Sequence, residues 1–199
     1  YQDGGIIINA NGMKGIGIGS GLGGVINIKR GHYEFDMKGQ EGACIGSVNG
    51  DSELFIEYCD MDIYSGISNG TIIGSVNGDA DIKLENISAK LQGAGNVITG
   101  IGTIAGNSCM VRLENVNISS NIRAKECYGI GCRAGRTDIY IGYAAVKSVV
   151  QGKSAVAFGN SVMSAKLYCS NADVGTNAVT EFNSDIGAVS YTHLTLPTN

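Results

Sequence analysis

The chain has no tryptophan and a single proline, and only 7% of its residues are aromatic. Charged residues make up 16%, the formal net charge is −4 and the sequence pI is about 5.1. Lys and Arg form no stripe. Nucleic-acid recognition needs a concentrated basic footprint, so none is expected through this domain. No apolar run approaches the roughly 18 residues of a membrane-spanning helix, so no membrane span is expected. No Cys-x-x-Cys occurs, and no Ser/His/Asp or Cys/His set can be assembled around the two histidines. The stretch Gly19-Ser20-Gly21-Leu22-Gly23-Gly24 lacks the Lys-Ser/Thr ending of a phosphate loop.

Glycine, in contrast, is plentiful, with 31 residues against an average usage of about 7%. Disorder would need low hydrophobicity, but 43% of the chain is hydrophobic. Collagen would need glycine at every third position and abundant proline. A folded, glycine-punctuated, strand-rich chain remains.

The glycines fall into a repeat. An apolar residue followed by glycine recurs as Ile18-Gly19, Ile45-Gly46, Ile73-Gly74, Ile101-Gly102, Ile130-Gly131, Phe158-Gly159 and Ile186-Gly187. The steps between these glycines are 27, 28, 28, 29, 28 and 28 residues. Most copies place a small or polar residue next: Ser20, Ser47, Ser75, Thr103, Cys132, Asn160. Elsewhere apolar residues alternate with period two, as on a half-buried strand. One set of pairs is Ile26/Ile28, Leu54/Ile56, Ile82/Leu84, Val111/Leu113, Ile139/Ile141 and Leu167/Cys169. A second runs from Tyr33/Phe35 through Met61/Ile63 and Ala89/Leu91 to Val174/Thr176. The pattern predicts an all-β parallel β-solenoid with about 28 residues and three short strands per coil. Equivalent residues would stack about 4.8 Å apart. No coil buries its apolar face alone, so stability would come from stacking.

On these repeats the chain resembles the right-handed parallel β-helix proteins, in particular the glycine-rich repeats of large bacterial chains. The resemblance covers about residues 1–188 and implies architecture more than activity. Hydrolytic members resemble one another in Asp pairs and a Gly-His-Gly motif, and lyases use Asp clusters for calcium with an Arg or Lys base. This chain has neither an Asp-Asp pair nor Gly-His-Gly. His32 is read as a surface-turn residue.

The segment Val189–Asn199 departs from the repeat. Back-translated, it resembles a sequencing-library adaptor, so 189–199 is expected to be an adaptor-derived artefact. Residues 1–188 are then one solenoid domain, expected to continue as further coils or domains of the same chain at both ends.

Two outward columns carry the candidate chemistry. One is Asn27, Phe55, Lys83, Arg112, Tyr140, Tyr168; the next is Lys29, Glu57, Glu85, Glu114, Gly142, Ser170. Tyr140 and Tyr168, with Phe55, are candidates for carbohydrate binding, the tyrosines as a flat platform for a sugar ring; an aromatic ladder that serves stacking alone is the other reading. Glu57, Glu85 and Glu114 would lie side by side. They are candidates for calcium, the one cofactor anticipated, which takes six to eight oxygens; an acid pair and a solvated face with cross-coil ion pairs are the other readings. Asn86, Asn115 and Asn171 would form an amide ladder in one turn. The six cysteines are read as small buried thiols, with Cys127 and Cys132 a faint metal or redox pair. Unpaired thiols favour a reducing setting.

The leading expectation is a non-catalytic, adhesin-like module. It would be a rigid scaffold or binding surface in a larger bacterial protein, at the cell surface or secreted, with polysaccharide or another protein as partner. One alternative is a polysaccharide-active lyase or hydrolase of acidic glycans. The other is an intracellular, cytoplasmic solenoid attached to a regulator domain.

Overall fold

The computed structural model describes residues 4–180 and 189–195. Its elements, all strands, are β1 (Gly5–Ser20), β2 (Gly24–Asn49), β3 (Ser52–Asn77), β4 (Ala80–Glu85), β5 (Ser88–Glu114), β6 (Asn117–Gly142), β7 (Ala145–Gly152), β8 (Ser154–Gly159), β9 (Ala165–Ser170), β10 (Asp173–Thr180) and β11 (Val189–Thr195). Every pairing is parallel. The result is a parallel β-solenoid of about six turns with about 28 residues in each. A straight strand of 26 residues, the length of β2, would span roughly 85 Å; here the long strands wrap round the coil. Among the described residues no helix is long and apolar enough to cross a membrane.

Side-chain columns follow the register. Ile26 pairs with Leu54, Leu54 with Ile82, Ile82 with Val111, Val111 with Ile139 and Ile139 with Leu167. The repeated isoleucine stacks likewise through Ile18, Ile45, Ile73, Ile101, Ile130 and Phe158. These ladders are the core: Ile45, Leu54, Ile73, Ile82, Ile101, Val111 and Ile130 are wholly buried. Alternation holds through the first two strands of each coil and fails in the third. Residues 42–48, 70–76 and 98–104 are buried without a break. Both parities of this run belong to the core, since Cys44 and Ile45, and Ile72 and Ile73, are all wholly buried, and Gly, Ser, Thr and Cys fill much of the rest.

Two kinds of corner turn the chain. At the repeated glycine the backbone takes φ from +106° at Gly159 to +150° at Gly19, a region L side chains avoid. Stacking forbids a side chain there too, since a Cβ on Gly74 would fall inside the carbonyl of Gly102, and one on Gly46 inside that of Gly74. The other corner places Arg30, Tyr58, Asn86, Asn115, Tyr143 and Asn171 in the left-handed region, φ +47° to +59°. Asn tolerates it. The expected amide ladder is present where two Asn are neighbours: Asn115 Nδ2 donates to Asn86 Oδ1 at 2.5 Å.

The polar residue after each glycine has a structural use. Ser47 Oγ donates to Gly50 O at 2.7 Å, Ser75 Oγ to the same carbonyl at 2.9 Å, and Thr103 Oγ1 to Gly78 O at 2.7 Å. Asn160 Nδ2 serves Gly135 O at 2.9 Å. These buried donors satisfy turn carbonyls, Ser47 in the turn that follows it and Ser75, Thr103 and Asn160 in the turn of the preceding coil, which would otherwise be costly. The same turns absorb the departures from 28. Pairing across β1 and β2 steps by 27 up to Ser20↔Ser47 and by 28 from Gly24↔Ser52. The step is 28 at Ser75↔Thr103 and 29 at Ala80↔Cys109.

Of the segment expected to be adaptor-derived, Val189–Thr195 runs beside β9. Its partners step by 24 at Leu167↔Tyr191 and by 25 at Cys169↔Leu194, off the 28-residue register. Residues 196–199 and the seventh glycine copy, Ile186-Gly187, lie outside the described residues.

Candidate functional site

The two outward columns stack as expected. Asn27, Phe55, Lys83, Arg112, Tyr140 and Tyr168 are successive partners, and so are Lys29, Glu57, Glu85, Glu114, Gly142 and Ser170. They flank an open groove of about 590 Å³, bordered by Lys83, Glu85, Arg112, Glu114, Tyr140 and Tyr168 and lined also by Gly142 and Ser170.

Tyr140 and Tyr168 meet with ring centroids 4.7 Å apart and planes 4° from parallel. An aromatic ring is wider than the coil spacing, so rings on adjacent coils cannot lie side by side in one plane. They stack, which contributes about 0.5–1.5 kcal/mol beyond area burial. The pair is thus a stack that offers its edges and its outer faces. One of these faces, on Tyr140, looks toward the Arg112 coil. Arg112 does not cover it by pairing there: its guanidinium Nη1 is drawn onto Asp81 Oδ1 at 2.5 Å, and Nη2 reaches Met110 Sδ. Phe55 is not part of this groove. It is half-buried, and Lys83 and Arg112 separate it from Tyr140 along the column.

The three glutamates differ in their surroundings. Glu57 meets Lys29 at 3.5 Å and Glu85 meets Lys83 at 2.7 Å. The Glu85 carboxylate, by hydrogen bond and charge, raises the Lys83 pKa. Glu114 has no cation partner among the described residues. It leans over Gly142, where a Cβ would meet its Oε2 at 2.5 Å. The glycine in a column of acids was visible in the sequence; that it makes room for the neighbouring carboxylate was not. Among the described residues no group of three His, Cys, Asp or Glu side chains is placed to hold a metal ion. Two of the three carboxylates, Glu57 and Glu85, have a lysine and are half-buried, whereas Glu114 is exposed.

All six cysteines are free thiols, with Cys44, Cys59, Cys109, Cys127 and Cys132 buried and Cys169 partly so. Burial pushes the Cys44 thiol up to about 12 and Cys127 to about 11, and raises Cys59, Cys109, Cys132 and Cys169. Such thiols stay protonated at neutral pH and are poor nucleophiles. Cys127 and Cys132 sit in different surroundings: Cys127 Sγ faces Ser154 O at 3.6 Å, whereas Cys132 Sγ is 2.9 Å from Thr137 Oγ1. His32, exposed, lies 2.9 Å from Glu34.

No family model, no curated protein and no solved structure matches this chain.

Proposed function

We propose that the chain is a non-catalytic, adhesin-like solenoid module of a larger bacterial protein, and that its tyrosine groove binds a polysaccharide. The observation that carries this reading is the stacked Tyr140–Tyr168 pair beside an open groove whose lining includes the small residues Gly142 and Ser170. The apolar face of a sugar ring packs against the outer face of Tyr140. Its hydroxyls reach the Glu114 carboxylate, the Ser170 hydroxyl and the Lys83 ammonium. A regular rod suits such a role, because each coil is fixed by in-register neighbours and holds its outward groups without a lid or hinge.

The test is calorimetry with neutral and acidic oligosaccharides, alongside an assay for new reducing ends and unsaturated products. Saturable binding that Tyr140→Ala weakens about tenfold, with substrate left intact, is the expected result. No binding across both classes of saccharide removes the glycan reading. Cleavage of any of them removes the non-catalytic one and favours a lyase or hydrolase.

A further inference from the structure

Elsewhere on the solenoid, outward cations tend to meet a carboxylate on the neighbouring coil. Lys14 meets Glu41 at 2.8 Å, Lys29 meets Glu57 at 3.5 Å, Lys90 meets Asp62 at 3.7 Å and Arg112 meets Asp81 at 2.5 Å. The pattern reverses at Lys125 and Lys153. The backbone N–H of Lys153 donates to the Lys125 carbonyl at 2.9 Å, so the two lysines occupy one column on adjacent coils, cation above cation. Neither has a carboxylate partner among the described residues. Lys83 is stacked on Arg112 in the same way, but each of those two has a carboxylate; at Lys125 and Lys153 the like-charge repulsion has none to offset it.

What surrounds the pair fits a ligand of opposite charge. Lys125 and Lys153 line an open groove of about 500 Å³ together with Arg133, Ser154, Ser161 and Tyr128. Glu126 is the one carboxylate lining it, and Arg133 Nε holds that group at 2.7 Å. The remaining guanidinium N–H groups of Arg133 are the kind that grip oxyanions in pairs. Ser161 is fixed in place, since its Oγ donates to Arg133 O at 2.9 Å and lies 3.2 Å from the Tyr128 hydroxyl. Beyond Arg133 a second open groove of about 380 Å³ continues along the surface, with room for whatever carries the anion. The whole chain has a net charge of −4, so this local excess of cations is not a consequence of bulk composition.

We propose that this corner is an oxyanion-binding site. Lys125, Lys153 and Arg133 hold a sulfate or phosphate group, free or as a monoester, and the Ser154 hydroxyl supplies a further donor. The site shares no residue with the tyrosine groove, so either reading can fail alone.

Calorimetry at low salt with inorganic sulfate, inorganic phosphate and a hexose 6-sulfate tests it. Saturable binding is expected, weakening as ionic strength rises and falling at least about tenfold in K153E, whose substitution reverses one of the two charges. In the absence of anion the same variant is expected to melt no lower than wild type, because the like-charge column is relieved. The K125Q/K153Q variant repeats the binding measurement without introducing a carboxylate. A tighter fit for the hexose sulfate than for sulfate identifies the ester as the ligand; equal affinities identify the free ion. No saturable binding of any probe up to about 10 mM, or equal binding by wild type and both variants, overturns the proposal.

Discussion

Tyr143 sits in a corner column built for another residue. Its φ is +47° between Asn115 at +51° and Asn171 at +50°, and its ring is largely exposed. The left-handed region costs a residue with a bulky side chain about 1 kcal/mol, whereas Asn enters it readily and can extend the amide ladder already formed by Asn86 and Asn115. Tyr143→Asn is therefore expected to raise stability by about 0.5–1 kcal/mol, read as a higher melting temperature; an unchanged or lower one would show that the ring's packing outweighs the backbone strain. The ladder was legible from Asn86, Asn115 and Asn171 in one column. The positive φ behind it was not, because Arg30, Tyr58 and Tyr143 occupy the same column and give no local sign of a left-handed corner.

At the scale of the strand and its turn, the glycine ladder is the element that other features depend on. Gly19, Gly46, Gly74, Gly102 and Gly131 each combine a positive φ with a carbonyl of the next coil where the Cβ would be. Gly74→Ala is expected to cost more than about 3 kcal/mol and to lower the urea midpoint accordingly. An alanine at Gly21, where nothing lies within 4 Å of a Cβ and φ is not positive, should be nearly neutral by the same measurement. The turn after the ladder carries the variation instead, one residue short between Ser20 and Gly24 and one long between Thr103 and Cys109. The irregular steps of 27 and 29 could be counted in the sequence. Their position could not, because a step between two glycines does not say where within the coil a residue was lost or gained.

For the whole molecule, stability is a sum over stacked coils and their interfaces. Removing residues 75–102 joins Gly74 to Thr103, the position that already pairs with Ser75, and leaves every column in register. The shortened chain is expected to fold, to melt at a lower temperature, and to show a urea m-value smaller by about one-sixth, in proportion to the surface lost. A molten or unfolded product would mean that the coils are not interchangeable units.

Spacing and alternation were enough to determine the architecture, because a parallel stack repeats its chemistry at a fixed interval and each inward ladder leaves its own trace in the sequence. They also placed Tyr140 beside Tyr168, and Glu57, Glu85 and Glu114 in one row. Only the tertiary structure decided what those neighbours do. It stacked the rings instead of spreading them, since coils repeat more closely than a ring is wide. It gave lysines to Glu57 and Glu85 and, among the described residues, none to Glu114, and it buried the third strand without alternation. It set Arg133 beside the stacked Lys125 and Lys153. A column follows from counting residues, whereas a side chain's partner depends on rotamers and on groups from other columns, which a one-dimensional repeat does not encode.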